Sequence, residues 1–143
     1  MTEYRPSKWR TARMVLSTMA LAACSGGQQS GEVLPPDEIQ RILPRIAADT
    51  PVDFTGGKDL FEGNCSACHG PVANGTAKGP PLVDIIYEPS HHGDMAFVLA
   101  VRSGVRAHHW RFGDMPPLPG VTESMVLEIV GYVRWLQRQV GIE

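Results

Sequence analysis

The sequence predicts an all-α domain built from three main helices and long loops. Two stretches of the carboxy-terminal half carry apolar residues at helical spacing, and each is bounded by capping signals. The segments between them are rich in the 15 glycines and 12 prolines of this 143-residue chain, and no run alternates as a strand would. Loops of this length bury little apolar surface by themselves, so we expect them to wrap around an additional group.

The two best-marked helices have clear ends. One follows Gly93, with Asp94 as the expected cap, and ends at Gly104. The other begins at Thr122, a favoured N-cap residue, and has Glu123 in its positive first turn. Arg134 and Arg138 suit the negative end of this last helix. The apolar positions are Phe97, Val98, Leu99 and Val101 in the first helix and Val126, Ile129, Val130, Val133 and Leu136 in the second.

A third main helix is expected from about Lys58 up to the first cysteine of the carboxy-terminal half, with Leu60 and Phe61 as its apolar pair. We place the start of the folded domain near residue 54, so that it spans residues 54–143. Residues 24–53 are expected to form a tether followed by a short linker helix.

The linker helix is predicted over residues 37–43, with Asp37 as its cap and Pro44 as its stop. Residues 25–36 before it have the Gly-, Ser- and Gln-rich composition of a flexible tether. The sequence leaves open whether the linker helix packs on the domain or only lengthens the tether.

The first 23 residues have the features of a secretory signal peptide. A basic start precedes ten mostly apolar residues, 14–23, and small side chains end the run. A membrane-spanning helix needs about 20 apolar residues, so this stretch is too short for a stable anchor.

Leu21-Ala22-Ala23-Cys24 resembles a bacterial lipobox. In the lipoproteins that carry this motif, the cysteine is lipidated and becomes the first residue of the mature protein. The resemblance implies a multiply acylated Cys24 that holds the chain on the periplasmic side of a bacterial membrane, since one acyl chain alone anchors only marginally. The alternative is an ordinary signal with a coincidental cysteine.

The charge balance excludes one class of partner. The chain has 13 basic and 15 acidic side chains, and the first 23 residues hold four of the basic and one of the acidic ones. The remainder therefore has nine basic and 14 acidic side chains, a net charge of −5. A nucleic-acid-binding domain needs a basic surface, so we expect no nucleic-acid partner. The balance is compatible with a protein partner that has a positive docking face.

The segment Cys65-Ser66-Ala67-Cys68-His69 has the spacing of a covalent haem c attachment site. Two thiols separated by two residues match the two vinyl groups, and the next residue directs its imidazole at the iron. A zinc site would need a further ligand pair. A thioredoxin-like pair or a structural disulfide would leave His69 unexplained. With Cys24 lipidated, the three cysteines of the chain would all be used.

Over residues 54–140 the chain resembles the class I, single-haem cytochromes c. The family's attachment run and the later Gly-Pro-x-Leu element are matched by Gly57, Phe61, Cys65, Cys68 and His69, and by Gly79, Pro80 and Leu82. The resemblance implies one covalent haem c, with three main helices and long loops wrapped around it. It also implies that Gly131 and Tyr132 of the last helix cross close to Gly57 and Phe61.

The resemblance further assigns the groups around the iron. The Pro80 carbonyl would accept the second ring N–H of His69 and so orient this iron ligand. The alternative is that Pro80 is a plain loop residue. Met115, in a loop before the last helix and followed by Pro116, would be the second axial ligand. Met95 lies in the first turn of a predicted helix, where a packing role is expected.

Two histidine pairs, His91-His92 and His108-His109, have no single interpretation. They are surface or loop residues or donors to a haem propionate, or one of them replaces Met115 as an iron ligand, or the two pairs form a copper or zinc site. Other candidate propionate donors are Trp110, Arg106 and Arg111.

Taken with the resemblance, these residues imply a one-electron carrier and no catalytic residues of its own, because no nucleophile–base pair or carboxylate dyad is evident. Its partners would be a redox donor and acceptor, with the chain a monomer or a subunit of a complex. Two alternatives remain: the haem c subunit of a periplasmic oxidoreductase complex, and a ligand-binding haem sensor.

Overall fold

The computed structural model describes residues 33–143, and within that range the fold is all-α. The predicted signal peptide, Cys24 and the tether up to residue 32 lie outside the described residues. No β-strand occurs in the described range, where Val105 and Met115 form an isolated antiparallel bridge. None of the described helices is long and apolar enough to cross a membrane. The helices are α1 (Pro36–Ala48), α2 (Val52–Asn64), α3 (Ser66–His69), α4 (Asp94–Ser103) and α5 (Glu123–Arg138), and a 3-10 turn spans Ile85–Tyr87.

The centre of the fold is the crossing of α2 over α5. Gly57 makes this close approach possible, because a Cβ at this position would lie 2.1 Å from the Glu128 carbonyl oxygen. One turn further along α2, the buried Phe61 ring packs on Tyr132 with 5.8 Å between ring centroids. The predicted contact of Gly57 and Phe61 with Tyr132 is therefore confirmed. Gly131 instead faces Phe54, whose Cδ1 would lie 4.0 Å from an added Cβ.

The linker helix is longer than predicted. It continues through Pro44 to Ala48, so the prediction of a stop at Pro44 is wrong. A proline removes one hydrogen bond from the helix interior. Here the helix is held by a buried stripe at four-residue spacing, Ile39, Leu43 and Ala47, which belongs to the same core as Phe61 and Tyr132. The linker helix thus packs on the domain. The predicted domain start at residue 54 therefore lies inside one hydrophobic core, which α1 shares with the helices that follow it.

The capping signals located the later helices well. Gly104 ends α4 with a φ of +75°, and the Thr122 hydroxyl accepts a hydrogen bond from Met125 N at the start of α5. The N-cap of α4 is Gly93, and Asp94 is the first helical residue. The first main helix begins at Val52, six residues before the predicted start at Lys58.

Arg134 is buried, with an exposure of 6%, although the sequence predicted only a favourable charge near the end of α5. Its guanidinium donates to Asp94 Oδ1 at 2.9 Å and to Gln137 Oε1 at 2.7 Å, and it also donates to the carbonyl oxygens of Tyr87 and His92. It therefore fixes the loop before α4, and the first turn of α4, against α5.

Candidate cofactor site

A cavity of about 560 Å³ opens between α3, α4 and the loop that connects α4 to α5. Its volume falls within the range of ordinary ligand pockets. The structure brings together in this one cavity all the site residues predicted within the described range, namely Cys65, Cys68, His69, Pro80 and Met115. These residues come from three separate segments of the chain.

His69 is oriented by a backbone oxygen. Its Nδ1 lies 2.9 Å from the Pro80 carbonyl oxygen, the contact that the resemblance implied. Since a carbonyl only accepts, Nδ1 carries the proton and Nε2 keeps its lone pair for a metal. Burial lowers the pKa of His69, which favours the neutral, ligating imidazole, while the Pro80 contact acts in the opposite direction.

The two cysteines lie at the junction of α2 and α3. Cys65 ends α2, where its N–H donates to the Phe61 carbonyl, and Cys68 lies in the single turn of α3. The loop that follows holds this turn, because the Thr76 hydroxyl donates to the Cys68 carbonyl at 2.6 Å. A Cβ at Gly79 would lie 3.0 Å from that same oxygen, so a glycine fits there best.

The thiols do not resemble a reactive redox pair. Within the described chain, Cys65 and Cys68 form no disulfide. Burial, together with the smaller effect of the neighbouring Cys68, raises the pKa of the Cys65 thiol to about 11. Reactive dithiols have lowered pKa values, so this environment argues against a thioredoxin-like function.

Met115 is held at the cavity by its backbone. It exchanges two hydrogen bonds of 2.9 Å with Val105, and a Cβ on Gly104 would lie 2.6 Å from the Met115 carbonyl oxygen. Its side chain packs against a cluster of Val98, Val101, Val126 and Val130. Met95 is 55% exposed and does not line the cavity, so the packing role expected for it is wrong.

One face of α4 lines the cavity and was not recognised in the sequence. Val98 and Val101 are buried against α5, while Ala96, Leu99, Ala100 and Ser103 face the cavity at helical spacing. Ala96 and Ala100 were the sequence signal for this face, because their small side chains leave room for a ligand beside α4. Leu99 is 46% exposed and Phe112, across the cavity, 39%. A flat apolar group in the cavity would cover both side chains.

Trp110 provides an unused donor. Its indole Nε1 is buried and has no hydrogen-bond partner among the described residues; the nearby Tyr87 hydroxyl does not meet the geometry of a hydrogen bond. Buried N–H groups are normally paired, so Trp110 is available to an anionic group at the cavity wall. Arg106 and Arg111 are exposed and do not line the cavity.

The two histidine pairs lie side by side at the cavity rim. His92, His108 and His109 line the cavity, whereas His91 does not. His91 Nε2 and His109 Nε2 are 3.3 Å apart. His92 Nδ1 donates to the Ile86 carbonyl at 2.7 Å, and His108 Nδ1 donates to the Arg106 carbonyl at 2.8 Å.

A helical domain that brings two thiols and an oriented imidazole to one wall of an apolar cavity is of the class that holds haem covalently. The cytochrome c family model matches residues 54–137, more than half of the chain. The chain therefore belongs to the cytochrome c family, and its cofactor is haem c, covalently attached and containing iron. Comparisons with curated proteins and with solved structures return no match. The cavity volume, the exposed Leu99 and Phe112 and the unpaired Trp110 donor fit such a group.

Proposed function

We propose that the chain is a class I cytochrome c that carries single electrons, with His69 and Met115 as its two iron ligands. The observation that carries the proposal is the convergence of Cys65, Cys68, His69 and Met115 on one cavity. Haem c supplies, when bound, an iron that exchanges one electron between its ferrous and ferric states.

Different residues of the chain would attach the haem, bind its iron and contact its propionates. The thiols of Cys65 and Cys68 are the attachment points, and His69 Nε2 is the nitrogen left for the iron by the contact of Nδ1 with Pro80. This contact keeps the imidazole in one tautomer and one orientation, and it increases its basicity as a ligand. Trp110 would donate to a propionate through its buried indole N–H.

Met115 is favoured over the histidines as second ligand by its place on the cavity wall. His91 does not line the cavity, and His108 and His109 are exposed at its rim. The His92 ring packs edge-on against the rings of His91 and His109. Met115 has a backbone fixed by two hydrogen bonds and a half-buried side chain on the cavity wall. A thioether favours the ferrous state, so this ligand set gives a higher potential than two histidines would.

The test is a pair of visible spectra, of the oxidised and of the reduced haem-loaded protein, together with a redox titration. Wild-type protein should show the sulfur-to-iron charge-transfer band in its oxidised form. Met115→Ala should lose this band and titrate at a lower potential. Met95→Ala is the matched control, because Met95 is exposed and lies off the cavity. If Met115→Ala keeps both the charge-transfer band and the wild-type potential, Met115 is excluded as an iron ligand.

The attachment roles have their own test. Cys65→Ser and Cys68→Ser should each leave one thioether, which shifts the reduced haem spectrum measured in alkaline pyridine. The double variant should lose its haem on acid–acetone extraction, whereas wild-type protein keeps it. Release of haem from the wild-type protein under the same conditions would contradict covalent attachment at these two positions.

We further propose that the carrier is tethered through lipidated Cys24 on the periplasmic side of a bacterial membrane. The support is the lipobox-like sequence, the signal-like run before it and the tether composition after it. A tether keeps the local concentration of the carrier at its partners high without tight binding. Blocking lipoprotein signal processing should cause an unprocessed precursor to accumulate. A mature protein released in soluble form under that block would contradict the tether, as would wild-type behaviour of Cys24→Ala.

A further inference from the structure

The strongest unassigned feature is a cluster of imidazoles at the rim of the cavity. All histidines of the chain except His69 belong to it, and their ring centroids lie 4.3–6.0 Å apart in the neighbouring pairs. Three of them, His91, His92 and His109, each place a ring nitrogen within 4.8 Å of a ring nitrogen of the other two.

Two segments that are distant in the sequence form this cluster. The His91-His92 pair closes a turn in which both backbone N–H groups donate to the Glu88 carbonyl, and Arg134 donates to the His92 carbonyl. The His108-His109 pair lies in the loop after α4, where Asp114 Oδ1 accepts from Ala107 N at 2.8 Å. Adjacent histidines usually point apart, but here the two turns bring ring nitrogens of three of them within 4.8 Å of one another.

The spacing of one pair of these nitrogens is that of two ligands sharing a cation. His91 Nε2 and His109 Nε2 are 3.3 Å apart. Two nitrogens at about 2.0–2.1 Å from a tetrahedral zinc ion are separated by about 3.3 Å. Nδ1 of His92 donates to the Ile86 carbonyl, which leaves its Nε2 as the metal-binding nitrogen and fixes the ring. The donor set is imidazole alone, which suits zinc or copper rather than magnesium or calcium.

We infer that His91, His92 and His109 form a second metal site, separate from the haem iron, for a divalent cation that prefers nitrogen ligands, Zn²⁺ or Cu²⁺. Three protein ligands leave a fourth position open to water or another donor. His92 and His109 also line the cavity, so the second cation would lie at the haem's rim.

The experiment uses the haem-loaded full chain after removal of adventitious metal with a chelator. Calorimetric titration with Zn²⁺ should give one saturable site, and zinc K-edge absorption should show three imidazole nitrogens at about 2.0 Å. Cu²⁺ should bind the same site more tightly than Zn²⁺ in chelator competition, following the usual order for divalent metals.

His91→Ala is the decisive variant because His91 is exposed and does not line the cavity. It should weaken Zn²⁺ binding at least tenfold while the haem spectrum and potential stay unchanged. His91→Gln, which keeps the side-chain bulk, should lose binding to the same extent. His108→Ala is the matched control and should change Zn²⁺ affinity less than threefold.

Equal Zn²⁺ affinity in wild-type protein and His91→Ala would overturn the site, as would two or fewer imidazoles in the absorption spectrum. Equal losses in His91→Ala and His108→Ala would also overturn it, because they would indicate a general effect of the histidine patch. These outcomes are independent of the electron-carrier proposal, which is judged on the same samples by the haem spectrum and the redox titration.

Discussion

Arg134 Nε donates to Asp94 Oδ1 over 2.9 Å, an ion pair that joins the middle of α5 to the first turn of α4. The Asp94 side chain is 59% exposed, so the pair itself contributes little to stability. The remaining partners of the guanidinium matter more, because they are the carbonyl oxygens of Tyr87 and His92 and the side chain of the buried Gln137. The Arg134 side chain thus holds the backbone that carries two cavity-lining rings, those of Tyr87 and His92.

Replacing Arg134 by Met should lower the free energy of unfolding by about 3 kcal/mol, because several buried acceptors lose their donor at once. Arg138→Ala, four residues further on at the exposed end of α5, should change it by less than about 0.5 kcal/mol. Urea unfolding followed by circular dichroism measures both values. A loss in the Met variant no greater than in the Arg138 control would show that the network contributes nothing.

Gly57→Ala should destabilise the fold by about 3 kcal/mol, because the new Cβ would overlap the Glu128 carbonyl and force α2 away from α5. Gly63→Ala in the same helix has no atom within 4 Å of its new Cβ. It should stabilise the protein by about 0.5–1 kcal/mol through helix propensity. The opposite signs of these two identical substitutions, measured by thermal unfolding, are the test; two variants of equal stability would contradict the close crossing.

Tyr132→Phe should leave stability unchanged or raise it by up to about 1 kcal/mol at pH 7. The Tyr132 hydroxyl is buried without a hydrogen-bond partner among the described residues, and the ring contact with Phe61 needs no oxygen. A loss above about 1 kcal/mol in urea unfolding would mean that the hydroxyl is paired.

The same hydroxyl should make stability depend on alkaline pH. Burial, together with the smaller effect of the Glu62 charge, raises the pKa of Tyr132 from the ordinary value of 10.0 to about 12. Between pH 10 and 12 the unfolded chain loses this proton while the folded chain keeps it, so wild-type stability falls as the pH rises. Tyr132→Phe lacks this contribution, and its advantage in unfolding free energy should grow across that interval. A constant difference would exclude the raised pKa.

Leu43→Ala should cost about 2–5 kcal/mol, because the side chain is fully buried in the core shared by α1 and α5. The exposed Arg41→Ala in the same helix should cost less than about 0.5 kcal/mol. Both changes should leave a single unfolding transition if α1 is part of the cooperative domain. A Leu43→Ala protein with wild-type stability would instead make α1 a detachable linker.

Features with local physical causes were the ones that the sequence predicted. The end of α4 at Gly104 and the start of α5 at Thr122 depend on single capping residues, and both were placed correctly. The Cys65 to His69 run is contiguous, so its elements could be recognised before their place in the cavity was known. The convergence of Pro80 and Met115 on that run came from the family resemblance.

Features that depend on distant contacts were missed. Pro44 has a local preference to end a helix, but the burial of Leu43 and Ala47 against the core outweighs it. Arg134 has the sequence position of a surface charge, and only the carbonyl groups supplied by another loop make it a buried donor. The clustering of His91 with His109 likewise requires two turns that no local pattern defines.

The backbone at Leu34 donates to the Val140 carbonyl at 3.1 Å, so the two ends of the described chain leave the domain side by side. No residue of α1 lines the haem cavity. A protein fixed to an electrode through residue 33 would therefore have nearly the same orientation as one fixed through its carboxyl end. Both should exchange electrons with the electrode at similar rates, and both should leave the cavity rim accessible to a partner in solution.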